Sequence, residues 1–167
     1  CFHLPADQAV LTGDTVLGRG TTVVAHPDGR LGDYLDSLRR LRSLTVDDGV
    51  HTVLPGHGPV LEDAQGAVEF YLAHRAHRLA QVETAVEDGH RAPSQVVAHV
   101  YADVDPSLWP AAELSVRGTP DYLEGHGLIM PGSGPATGPA VRASGRGSGG
   151  DVNVSASAWP VARRPEG

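Results

Sequence analysis

The sequence contains no lysine, one cysteine (Cys1), one methionine (Met130) and only 5% aromatic residues across its 167 positions. A lone cysteine excludes a disulfide scaffold. No apolar run approaches the roughly 18–20 residues a membrane helix needs, which excludes a spanning segment. All thirteen basic residues are arginine, a coding bias with little functional content. The first residues, Cys1-Phe2-His3-Leu4-Pro5, lack the basic start and long apolar stretch of a signal or transit peptide. With no paired cysteines, this directs the expectation to the cytoplasm. The chain also starts without a methionine, and the simplest reading is a truncated segment of a larger fold.

What is present divides by composition. Gly and Pro number 21 and 13, so part of the chain is expected to build no core. The net charge of −7 is uneven. Residues 1–70 hold 5 Arg against 10 acids and residues 71–130 hold 4 against 8, while residues 131–167 reverse this with 4 against 2. An acidic body argues against a broad nucleic-acid footprint. Residues 131–167 carry 8 Gly, 5 Pro and 5 Ser without an apolar period and are expected to be disordered.

Residues 1–61 read as strands and a helix. Ala9-Val10-Leu11-Thr12, stopped by Gly13-Asp14, predicts a buried strand ending in a loop. Thr21 to Ala25 is β-branched and runs into His26-Pro27-Asp28-Gly29, which predicts a second strand and a turn. Leu31, Leu35, Leu38, Leu41 and Leu44 recur at three and four, predicting an amphipathic helix. Val50 to Leu54 predicts another strand, entering Pro55-Gly56-His57-Gly58-Pro59. Strand, helix and strand in this order fit one layer of an α/β sandwich.

Residues 62–130 read as mainly helical. Glu62 and Asp63 suit a helix start and Gly89 its end. A shorter helix opens at Pro93-Ser94, and a third runs from Ser107 to about Arg117. Gly127-Leu128-Ile129 closes a small winged-helix-like module. Within it, Tyr101 and Trp109 are expected in the core. His74, Arg75, His77 and Arg78 form a cluster that reads either as a solvated helix face or as a phosphate contact.

Asp14 and His57 both lie where predicted strands run into loops. A carboxylate and an imidazole on such junctions suit a borderline metal such as Zn²⁺. On the residues alone, a turn aspartate and a solvated histidine explain the same pattern.

Taken together and in order, Leu11-Thr12-Gly13-Asp14-Thr15-Val16-Leu17-Gly18, His26-Pro27-Asp28-Gly29, Tyr34-Leu35-Asp36-Ser37-Leu38 and Leu54-Pro55-Gly56-His57-Gly58-Pro59 resemble the second half of a metallo-β-lactamase-fold hydrolase. The subgroup it resembles is that of beta-lactamase-like protein 2, related to glyoxalase II. The likeness continues through His74-Arg75-Ala76-His77-Arg78, Val100-Tyr101 and Ala111 to Val116 into that group's winged-helix extension, and covers about residues 1–130.

The resemblance implies an αββα fold, present in its C-terminal part only, over residues 1–61. A helical winged-helix-like domain over 62–130 and a tail over 131–167 follow it. It implies that Asp14 bridges two zinc ions and that His57 ligates the second, in a family where a metal-bound hydroxide attacks an ester, thioester, amide or phosphodiester. The family's His-x-His-x-Asp-His signature has no counterpart here, and His3, His26 and His51 do not sit in it. Zinc catalysis wants at least three protein ligands plus water, so a site of Asp14 and His57 alone is expected to be incomplete. Gly118-Thr119-Pro120 falls where the family runs a continuous helix, and proline there predicts a break. A small ester or thioester is the expected substrate ahead of RNA. An open apolar sheet face predicts self-association. The alternative is a non-catalytic fragment, or a winged-helix module binding nucleic acid or protein.

Overall fold

The computed structural model describes residues 1–90, 92–125, 129–130 and 142–143. Strand β1 (Phe2–Leu4) turns through Pro5–Asp7 into β2 (Ala9–Gly13), with which it pairs antiparallel. The chain then crosses through a long loop and helix α1 (Leu31–Asp47) to β3 (Thr52–Pro55), which lies parallel to β2 in the order β1-β2-β3.

Alternation along β2 decides which face is covered. Val10 and Val53, paired in register, point inward and are essentially fully buried. They meet Leu35, Leu38 and Leu41 of α1, and Val68 and Tyr71 of helix α2 (Ala64–Glu87). Leu31 and Leu44 pack at the margin of this cluster, so all five leucines of the helical pattern serve it. The opposite face carries Phe2, Leu11 and Leu54 in one cross-strand row. Phe2 is 74% exposed and Leu11 40%, an apolar row left open to solvent.

Helix α2 runs 24 residues, about 36 Å at 1.5 Å per residue. The Asp63 carboxylate caps its start by accepting from the Gly66 N–H at 2.8 Å, and Gly89 ends it at φ +94°. That length lets it serve two cores. Its first half lies in the cluster on the sheet. Its second half contributes Val82, Ala85 and Val86 to another, with Val96, Val97 and Val100 of α3 (Pro93–Val100) and Val116 of α4 (Trp109–Gly125). Tyr101 and Trp109 pack against this second cluster, and the indole N–H donates to the Tyr101 and Val104 carbonyls. Two short strands, β4 (Ile129–Met130) and β5 (Arg142–Ala143), pair antiparallel. Apart from Arg142 and Ala143, the expected disordered segment 131–167 lies outside the described residues, as do Gly127 and Leu128.

Two expectations need correction. Residues 21–25 form no strand. Among the described residues no strand pairs with them, and their β-branched composition is overridden. The Arg75 guanidinium and Thr22's own hydroxyl hold this stretch instead. Helix α4 also runs unbroken through Gly118-Thr119-Pro120 to Gly125. The Thr119 hydroxyl donates to the Ser115 carbonyl within the turn before the proline, at 3.0 Å.

Candidate metal centre

Because β2 and β3 are parallel neighbours, their C-terminal ends lie side by side, with Asp14 directly after β2 and His57 two residues past the end of β3. The two loops are then bonded to each other. The Gly56 N–H donates to the Gly13 carbonyl at 2.8 Å, and the Gly18 N–H donates to the His57 carbonyl at 2.9 Å. His57 Nε2 lies 3.6 Å from Asp14 Oδ1, with both side chains largely exposed.

Glycine is required at Gly18 and Gly58 for lack of space against backbone. A Cβ on Gly18 would stand 2.1 Å from the Pro59 carbonyl oxygen, and one on Gly58, at φ +89°, would stand 2.8 Å from the Gly18 carbonyl carbon. Backbone contact at Gly18 is what allows the His57 loop to reach the Asp14 loop.

The Asp14 loop is strapped down along its length. The Thr12 hydroxyl donates to the Val16 carbonyl at 2.8 Å, in a buried bond. The Tyr34 hydroxyl, from α1, donates to the Thr15 carbonyl at 2.9 Å. The Tyr71 hydroxyl, from α2, accepts from the Leu17 N–H at 2.8 Å and donates to the Gly20 carbonyl at 2.9 Å. The Thr22 hydroxyl donates to the Asp14 carbonyl, and Arg75 donates to the Thr22 carbonyl while its guanidinium lies over the Tyr34 ring. Burial raises the pKa of both tyrosines, so both remain protonated donors near neutrality.

Reading the sequence missed these supports. Tyr71 sits inside an apolar stripe, where only its polar tip hints at a bonded partner. The Arg75 and Arg78 pair is neither a solvated face nor a phosphate patch on the surface. Arg75 is buried, and Arg78 donates to the Val100 carbonyl at 2.8 Å and lies over the Tyr101 ring. Their neighbour His74 is half-buried and stacked on Phe70. Burial first, then Arg75, Arg78 and His77, lowers its pKa to about 4.

Asp14 and His57 are thus brought together, and their oxygen and nitrogen donors suit zinc or a similar borderline ion. Among the described residues no cluster of three or more His, Cys, Asp or Glu side chains completes a site. His3, His26 and His51 do not join them. The free thiol of Cys1 lies near the same loop, 3.6 Å from the Thr15 hydroxyl. Among the described residues no helix is long and apolar enough to cross a membrane.

Comparison with known proteins agrees with this architecture. Residues 92–128 match the beta-lactamase associated winged helix domain. The chain is 32% identical over 126 residues to a beta-lactamase-like protein 2 homolog of Drosophila melanogaster, covering 74% of this chain and 40% of that one. It is 40% identical over 91 residues to an atrochrysone carboxyl ACP thioesterase of Aspergillus fumigatus, covering 54% of this chain and 26% of that protein. Among solved structures, a metallo-beta-lactamase family protein from Thermus thermophilus superposes with a TM-score of 0.68 at 24% identity, over 86% of this chain and 44% of that one. A beta-lactamase domain protein from Burkholderia ambifaria gives 0.72 at 23%, over 85% and 43%. The chain therefore spans less than half the length of these relatives. In fold, in its winged-helix match and in its relatives, the chain belongs to the metallo-β-lactamase-fold family of hydrolase-like proteins.

Proposed function

We propose that this chain contributes Asp14 and His57 to a zinc centre for the hydrolysis of a small carboxylic ester or thioester. The observation that carries the reading is the juxtaposition of Asp14 Oδ1 and His57 Nε2 at the ends of adjacent parallel strands, on loops bonded to each other. The carboxylate has two oxygens and suits a bridging position, and the imidazole offers one nitrogen to one ion. When bound, zinc supplies Lewis acidity toward the scissile carbonyl and lowers the pKa of water toward about 7. The chain's own part is positional. Tyr34, Tyr71 and Thr22 hold the Asp14 loop, and the Gly18–His57 bond holds the facing loop against it. With two ligands at hand, the remaining donors of the centre come from outside this pair, and full activity belongs to the assembly that contains them.

A thioester is favoured over RNA by the relative that is a thioesterase, and by the inward engagement of Arg75 and Arg78, which leaves no basic helix face at that position. The compartment proposed is the cytoplasm, in keeping with a single, free cysteine.

The test is zinc affinity, by competition with a chromophoric chelator, for the wild-type chain and for Asp14→Ala and His57→Ala. Each substitution is expected to weaken binding at least tenfold, about 1.4 kcal/mol. Equal uptake by the chain carrying both substitutions would overturn the assignment.

A further inference from the structure

A second, separate feature lies between α2 and α4. A cavity of about 30 Å³ is bordered by Arg75, Arg78, Ser115 and Thr119 on its polar side and by Leu79 and Val82 among its apolar walls. On this measure one water needs roughly 10–15 Å³. The space therefore takes about two oxygen-sized groups, enough for the end of a molecule and too little for a whole substrate.

The charge there is unbalanced. Arg75 is 8% exposed, and the two arginines stand one helical turn apart on α2. Their identified partners are neutral: the Thr22 carbonyl for Arg75, and the Val100 carbonyl and Gln81 amide oxygen for Arg78. The rings of Tyr34 and Tyr101 face the guanidiniums at 5.1 and 4.5 Å. Among the described residues neither arginine has a carboxylate in ion-pair range, while the chain as a whole is acidic. Each also keeps a buried Nε–H with no hydrogen-bond partner among the described residues. Buried cations without a counter-charge, and buried donors without acceptors, are costly and normally filled. The lowered pKa of neighbouring His74 has the same electropositive origin in part.

We propose that this seam binds a single carboxylate group, with Arg75 and Arg78 as its charge partners. A carboxylate supplies two acceptor oxygens and one negative charge, matching two guanidinium donors and the available volume. The inference does not rest on the metal-centre reading, since neither Asp14 nor His57 enters it, although Arg75 also holds Thr22 of the Asp14 loop. Ligands answering to it are small organic acids and larger molecules ending in a free carboxylate.

The experiment uses the full chain and follows the arginine Nε–H resonances by ¹H–¹⁵N NMR during titration with sodium formate, then acetate, at constant ionic strength held with sodium chloride. Inorganic phosphate is titrated in parallel. Expected are saturable shifts of the Arg75 and Arg78 signals with both carboxylates and not with phosphate. Arg78→Met is expected to weaken formate binding at least tenfold while the circular dichroism spectrum is unchanged. If that variant does not fold, Arg78→Lys, which keeps the charge but loses the fork of donors, is expected to weaken formate several-fold. Absence of a saturable shift, unchanged affinity in the folded Arg78 variants, or phosphate binding as tightly as formate would each overturn the proposal. The first two outcomes would leave the arginines as clamps between helices only.

Discussion

Gly18→Ala tests whether backbone contact between the two loops builds the candidate centre. The added Cβ would stand 2.1 Å from the Pro59 carbonyl oxygen and 2.5 Å from the Pro59 nitrogen. An ordinary carbon–oxygen contact begins near 3.3 Å, so the His57 loop must retreat by about 1.2 Å. Both obstructing atoms are backbone, and no side-chain rotation relieves them. Retreat stretches the Gly18 N–H bond to the His57 carbonyl from 2.9 Å to beyond bonding range. Overpacking costs about 1–3 kcal/mol and the lost bond about 1 kcal/mol, so the expected destabilisation is roughly 2–4 kcal/mol. In urea this lowers the midpoint by about 1 M or more with an unchanged slope. Hydrogen exchange should lose protection at the Gly18 amide, and zinc affinity should fall because Asp14 and His57 move apart. A variant within about 0.5 kcal/mol of wild type, with the Gly18 amide still protected, would refute the claim that this contact sets the geometry.

Three further outcomes follow from named residues. Tyr71→Phe keeps the buried ring but orphans the Leu17 N–H, at a cost of about 1–3 kcal/mol; urea unfolding should show it, with faster exchange at Leu17, and a neutral result would discount the strap. His74 titrates near 4 in the folded chain against 6.5 ordinarily. Between those values the unfolded state binds more protons, so stability falls as pH drops from about 6.5 toward 4, by about 1–2 kcal/mol once solvent screening is allowed for. Unfolding at pH 7 and 4.5 should show a smaller pH difference in His74→Gln, and equal differences would rule the residue out as the cause. The row of Phe2, Leu11 and Leu54, in which Phe2 and Leu11 are exposed, is expected to drive self-association. Sedimentation velocity should show concentration-dependent association that Phe2→Ser with Leu11→Ser reduces, and a wild-type chain that stays monomeric would refute it.

Much of this protein was legible in order of sequence. The leucine period from Leu31 to Leu44, the Asp63 and Gly89 helix boundaries, and the run Ala9 to Thr12 each carry a local signal, because side-chain spacing and cap chemistry act over one or two turns. Asp14 and His57 could be singled out because each follows a strand and is flanked by glycine. Two readings failed. The stretch Thr21 to Ala25 has strand composition but no pairing strand among the described residues, and the Gly118-Thr119-Pro120 segment stays helical within α4. Local propensity is weak against tertiary surroundings.

By itself, then, the sequence determined the α1 and α2 helices, the strands around Val10 and Val53, the acidic character and the two candidate residues. Only the tertiary structure decided that these two residues meet, because the 3.6 Å between Asp14 and His57 depends on parallel pairing of segments some forty positions apart and on glycine-to-backbone contact between their loops. It also decided that Tyr71, Arg75 and Arg78 turn inward. Which face of a 24-residue helix is buried depends on what packs against each half, and here the first half meets the sheet and the second meets the helices that follow.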